Sequence, residues 1–87
     1  MQVKHEGGKF FIKTEHGEAE LLYNLANSTM RIYHTFVPEA DMGKGIAEEL
    51  ANAAFAFAKE KKIKIDPQCP YIVHYFEKNP DMKSLHI

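Results

Sequence analysis

The segment Met30-Arg31-Ile32-Tyr33-His34-Thr35-Phe36-Val37-Pro38-Glu39-Ala40-Asp41-Met42-Gly43-Lys44-Gly45-Ile46-Ala47 decides the fold. It begins as a strand-like run from Met30 to Phe36, passes two glycines one residue apart, and opens the only long helix in the sequence. A helix N-terminus carries about half a positive charge and several N–H groups with no partner inside the helix. Glycine lets a ligand come close to that backbone and permits unusual φ angles. Strand, Gly-x-Gly, helix is therefore a place to hold an anion, most naturally a phosphate or pyrophosphate. The same glycines also suit a simple tight turn. Asp41 reads as the helix N-cap, and Lys44 adds a cation within reach of a phosphate.

Upstream of this segment, Gly7-Gly8 separates a frayed start from a strand over Lys9–Glu15. His16-Gly17 marks a turn, Glu18–Leu25 a second strand, and Ala26-Asn27-Ser28 a second turn before Thr29–Val37. In that last strand Met30, Ile32, His34 and Phe36 share one side, while Arg31, Tyr33, Thr35 and Val37 share the other. Strands joined by such short turns form an antiparallel meander. Downstream, a helix spans about Gly45 to Lys62, with Ile46, Leu50, Ala53, Ala54 and Phe57 as its buried stripe. Phe55 lies off the stripe and needs another cover. Ile63-Lys64-Ile65 is a short strand, joined to Thr29–Val37 by a right-handed parallel crossover. Pro70 opens a second helix, Tyr71 to Lys78, which Asn79-Pro80 ends. The fold class is α+β: a three-strand antiparallel meander plus one parallel strand, with two helices.

The 87 residues, 45% hydrophobic and 26% charged, suit one small domain over 1–87. The net charge is −1 with lysines scattered, so nucleic acid is a poor partner. Met1–Phe10 holds charges and two glycines with no apolar run, so no signal peptide is expected. No stretch approaches the roughly 20 apolar residues that span a membrane. The single cysteine, Cys69, fits a reducing cytosol. His5, His16, His34, His74 and His86 lack ligand spacing, so no metal is expected.

Three pieces together, His34-Thr35-Phe36-Val37-Pro38, Gly43-Lys44-Gly45-Ile46-Ala47 and Pro67-Gln68-Cys69-Pro70-Tyr71 with Asn79-Pro80 behind it, resemble the GNAT superfamily of acetyl-CoA-dependent N-acetyltransferases. Within it they are most similar to the small YjdJ-type or NATD-type branch. The resemblance covers roughly the last two-thirds of the chain. It implies a minimal GNAT-like fold and a site for acetyl-CoA or coenzyme A. The pyrophosphate would sit on the backbone of Met42, Gly43, Lys44, Gly45, Ile46 and Ala47. The pantetheine arm would run beside Thr35, Phe36 and Val37, toward Cys69 and Tyr71. Two departures stand out. Ala40 occupies a position where the superfamily has Gln or Arg, and the turn at His16-Gly17 leaves no room for the two helices that build much of the acceptor site in larger members.

The resemblance also places a proton-donating tyrosine of the last helix where this chain has Phe76. Phe76 has no proton to give. Cys69, just before a helix, is the alternative catalytic candidate, either as a nucleophile or beside the thioester, with His34 on the neighbouring strand as its base. The leading reading is a cytoplasmic N-acetyltransferase acting on an amine of a small molecule or protein, working as a monomer or homodimer. The alternative is a non-catalytic acyl-CoA-binding module; a weaker one is an interaction domain that binds no cofactor.

Overall fold

The computed structural model describes residues 2–87. Five strands form one sheet in sequence order: β1 (Lys4–Glu6), β2 (Lys9–Thr14), β3 (Gly17–Ala26), β4 (Thr29–Phe36) and β5 (Lys64–Pro67). The first four are antiparallel, and β4 pairs with β5 in parallel across the helix α1 (Ile46–Lys61). A second helix, α2 (Pro70–Lys78), follows β5.

The mixed sheet and two helices are those read from the sequence, with one strand more. The segment expected to fray, Lys4–Glu6, pairs with β2 through a Gly7-Gly8 turn. Its hold is aromatic: His5 stacks on Phe10 at 3.9 Å and hydrogen-bonds the Tyr23 hydroxyl at 2.6 Å. A strand without one aliphatic residue gives no apolar alternation to read. Asn27 and Ser28, both at positive φ (52° and 60°), close the β3–β4 hairpin in the primed-turn geometry that follows strand twist.

One irregularity in β4 governs everything around the site. Leu22 faces His34 and Tyr23 faces Ile32, so Tyr33 has no partner on β3. Directly opposed residues share a face of the sheet. Met30 and Ile32 therefore point into the core, but beyond the bulge it is Thr35, opposite buried Leu21, that turns inward. His34 turns outward, its Nε2 3.6 Å from Glu20 Oε2. The regular alternation expected from the sequence, with His34 on the side of Met30 and Ile32, is inverted at this point. A single extra residue suffices because the strand period is two.

The helices cover one face of the sheet. Ile46, Leu50, Ala54 and Ala58 recur every fourth residue and are fully buried. Ala51 and Phe55 are buried as well, because α2 lies on that side of α1: Phe55 meets Tyr75 at 4.4 Å and Phe76 at 4.9 Å between ring centroids. The second helix is thus the cover that Phe55 needs, and the buried stripe lies rotated toward it. Ala53 and Phe57, placed in the stripe by sequence, are only half-buried.

Candidate functional site

The strands β4 and β5 pair from Thr29–Lys64 to Ile32–Pro67 and then part. Gln68 N–H donates to Ile32 O at 3.0 Å as the last tie between them. Beyond it, the end of β4 and the start of α2 frame a groove of about 290 Å³ lined by Thr35, Val37, Met42, Gly45, Glu48 and Tyr71, among others. The groove lies at the carboxyl ends of parallel strands, where open α/β sheets place their ligands.

One end of the groove is the loop before α1. Helix α1 starts from Gly45 at φ 77°, and Gly43 stands at φ 86°. A side chain would be strained at either position. The first helical bond runs from Glu49 N–H to Gly45 O at 3.1 Å. Among the described residues, the amides from Gly43 to Glu48 make no hydrogen bond at all, whereas the Met42 amide is already bonded to Glu39 O at 3.2 Å. Six successive free N–H groups at a helix N-terminus form an anion cradle. A methyl group built on Gly43 or Gly45 would meet no protein atom within 4 Å, so what the two glycines keep clear is open space.

The loop is held from beneath by Asp41, which does not cap α1 as the sequence suggested. Its side chain is only 3% exposed. Thr14 Oγ1 donates to Oδ2 at 2.6 Å, while Lys44 Nζ donates to Oδ1 at 3.1 Å and His16 Nδ1 lies 3.1 Å from that same oxygen. These bonds, that from Thr14 foremost and then those from Lys44 and His16, hold the Asp41 carboxyl down at about 2. Asp41 thereby ties the β2–β3 turn to the glycine loop, and it occupies the cation of Lys44. Thr14 and His16 escape a sequence reading because the contact spans 27 and 25 residues.

The other end of the groove belongs to α2. Tyr71, in its first turn, lies on the groove wall; burial, and then the charge of Glu48, push its phenol up, so it carries its proton. Glu48 was not singled out by sequence, yet Glu48, Ala51, Asn52 and Phe55 share the α1 face toward α2, a spacing legible on a helical wheel. Asn52 accepts a hydrogen bond from the Tyr75 hydroxyl. Cys69 is 7% exposed and lies behind the wall, its Sγ 3.2 Å from Thr35 Oγ1. The pair imagined from sequence, Cys69 with His34, is not formed: the bulge puts Thr35 against the thiol and sends His34 to the opposite face. Phe76 packs on Phe55 and His86 and is not among the residues that line the groove.

A family model described as GCN5-related N-acetyl-transferase matches residues 9–85. The chain belongs to that family. It is 42% identical over 66 residues to Protein NATD1 of Xenopus tropicalis and 36% identical over 85 residues to that of Gallus gallus. The first match takes in 75% of this chain and 61% of the frog protein; the second takes in 92% and 77%. A GCN5-like protein from Staphylococcus aureus, solved by NMR, superposes with a TM-score of 0.75 at 25% identity, over 99% of this chain and 87% of that one. The fold agrees with the family match. Among the described residues, no helix is long and apolar enough to cross a membrane, and no group of three or more His, Cys, Asp and Glu is placed to hold a metal ion.

Proposed function

We propose that this protein binds acetyl-CoA in the groove between β4 and β5 and transfers its acetyl group to an amine. One observation carries the reading: six unbonded amides, Gly43 to Glu48, stand at the mouth of a groove whose floor is a strand edge without a partner. The residues present fit the coenzyme. The amides suit its diphosphate, and the open main chain of Thr35–Val37 suits an amide-bearing arm that adds on as a strand does. A groove of about 290 Å³ is at the small end for ligand sites, so it would hold the arm and leave the nucleotide outside.

The thioester supplies an activated acetyl group. As the amine nitrogen bonds to the carbonyl carbon and the carbon–sulfur bond breaks, the departing sulfur needs a proton. Tyr71 takes the role that Phe76 cannot fill, because it lies on the groove wall and its phenol is held protonated. Cys69 sits beside the reaction rather than in it: its thiol is buried and engaged with Thr35, so Thr35 must turn away before sulfur could attack. That burial is also what favours the second reading, a module that binds acyl-CoA without turning it over.

Thermal unfolding and a free-thiol assay separate the readings. Acetyl-CoA at 100 times its dissociation constant should add about 2.7 kcal/mol of stability. Release of coenzyme A that depends on an added primary amine, kept in Cys69→Ala, supports direct transfer. Binding without amine-dependent release supports the module. No thermal shift at millimolar acetyl-CoA refutes both.

A further inference from the structure

The sheet has two edges, and among the described residues the chain closes only one of them. At β5, Ile65 bridges to His86, and Ile87 N–H donates to Ile65 O at 3.1 Å. At the other edge, β1 pairs with β2 alone. Gly7 and Gly8 join these strands as a two-residue turn, so Glu6 and Lys9, which flank it, form the pair that exchanges both N–H···O bonds. The alternation then turns the N–H and C=O of His5 away from β2, toward solvent. This edge is held in place: the Tyr23 hydroxyl donates to Gly7 O at 2.9 Å and meets His5 Nε2 at 2.6 Å. On the outer face of the sheet, Lys4 and Glu6 form no ion pair among the described residues. On the helix side, Phe57 stands edge-on to the His5 ring at 4.7 Å, and Val3, Ala53 and Phe57 are only half-buried.

We infer that this edge receives a second copy of the chain, the two β1 strands pairing antiparallel about a twofold axis at His5. In that register the outward N–H and C=O of the two His5 residues exchange hydrogen bonds. Lys4 stands opposite the partner's Glu6, and Glu6 opposite the partner's Lys4, so both cross-strand pairs are of opposite sign. A lysine on a short edge strand ordinarily guards against such pairing. Here the glutamate two residues on answers it. Parallel pairing in the same register sets lysine against lysine and glutamate against glutamate, so charge selects the twofold-symmetric arrangement. Val3 and Phe57 of both copies close over the axis on the helix side. With a strand of three residues the interface is small and the dimer weak. The groove between β4 and β5 lies at the opposite side of the sheet, so each copy keeps its coenzyme site, and the inference stands apart from the acetyl-transfer reading.

Sedimentation equilibrium of the whole chain, from micromolar to millimolar concentration at low salt, tests it, with hydrogen exchange of the His5 amide measured alongside. Wild type should dimerise, less so as salt rises, and the His5 amide should exchange more slowly in the dimer. Lys4→Glu and Glu6→Lys should each weaken the dimer about tenfold, because both symmetric pairs become like-charged. An equimolar mixture of the two variants should recover wild-type affinity, since every pair across the axis is again of opposite sign. Mixing cannot repair a folding defect, so recovery reports the register itself. A wild type that stays monomeric at millimolar concentration overturns the inference. So does a dimer that both variants leave as tight as before, which places the contact on another face. A mixture that associates no better than either variant alone overturns the antiparallel register.

Discussion

Replacing Gly43 by alanine separates the two jobs its backbone can have. The residue stands at φ 86°, and a methyl group there would touch no protein atom within 4 Å. The cost to the fold is therefore conformational, not steric. A side chain in the left-handed region costs about 1–2 kcal/mol, and the stiffer unfolded chain returns about 0.4–1 kcal/mol. The net loss is about 1 kcal/mol, a fall in melting temperature of roughly 4–8 °C. That strain is present with and without ligand, so by itself it leaves the affinity for coenzyme A unchanged. If the diphosphate lies on these amides, the methyl group also intrudes on it. Loss of one charge-assisted hydrogen bond, about 1.5–3 kcal/mol, then weakens binding roughly 10- to 100-fold. Calorimetric titration of wild type and Gly43→Ala with coenzyme A, beside their melting curves, measures both terms. A variant that melts a few degrees lower yet binds as tightly as wild type would show that Gly43 only makes a turn.

Other substitutions probe the supports of the groove. Asp41→Asn should melt at a lower temperature at pH 7 and loosen the glycine loop. The wild-type carboxyl, held at about 2 against a usual 3.8, stabilises the fold at neutral pH and gives that up as pH falls from about 4 toward 2. The variant should lose that acid dependence, and an unchanged acid limb in its stability curve counts against the Asp41 cluster. Phe55→Ala removes the fully buried ring between the helices and should cost about 3–5 kcal/mol by urea denaturation, enough to unfold much of so small a domain. Tyr71→Phe should lower kcat about 100-fold with little change in KM for acetyl-CoA; an unaltered kcat removes it as the proton donor. His34→Gln should leave turnover as it was, because its side chain lies on the outer face, and a tenfold loss would contradict that placement.

Much of this was legible in the chain because the signals are local. Two-residue turns set the meander. The Gly43-Lys44-Gly45 loop marked the helix start, and Pro70 the second helix. What stayed hidden depends on partners distant in sequence. The bulge at Tyr33 leaves no mark in β4 itself, since the mismatch exists only against β3, and it alone exchanges Thr35 for His34 beside Cys69. Asp41 reads as a cap because it precedes a helix; its partners Thr14 and His16 lie on another hairpin. The strand Lys4–Glu6 is held by an imidazole stacked on Phe10 rather than by aliphatic packing. Glu48 reads as any acidic residue of a first helical turn, because its place on the groove wall depends on how α2 packs.

The free amides can be observed one by one. In a nitrogen–proton correlation spectrum titrated with coenzyme A, the resonances of Gly43 to Glu48 should move together and furthest, while the already bonded Met42 amide moves less. Saturation of the protein with those six signals in place would contradict the groove as the coenzyme site.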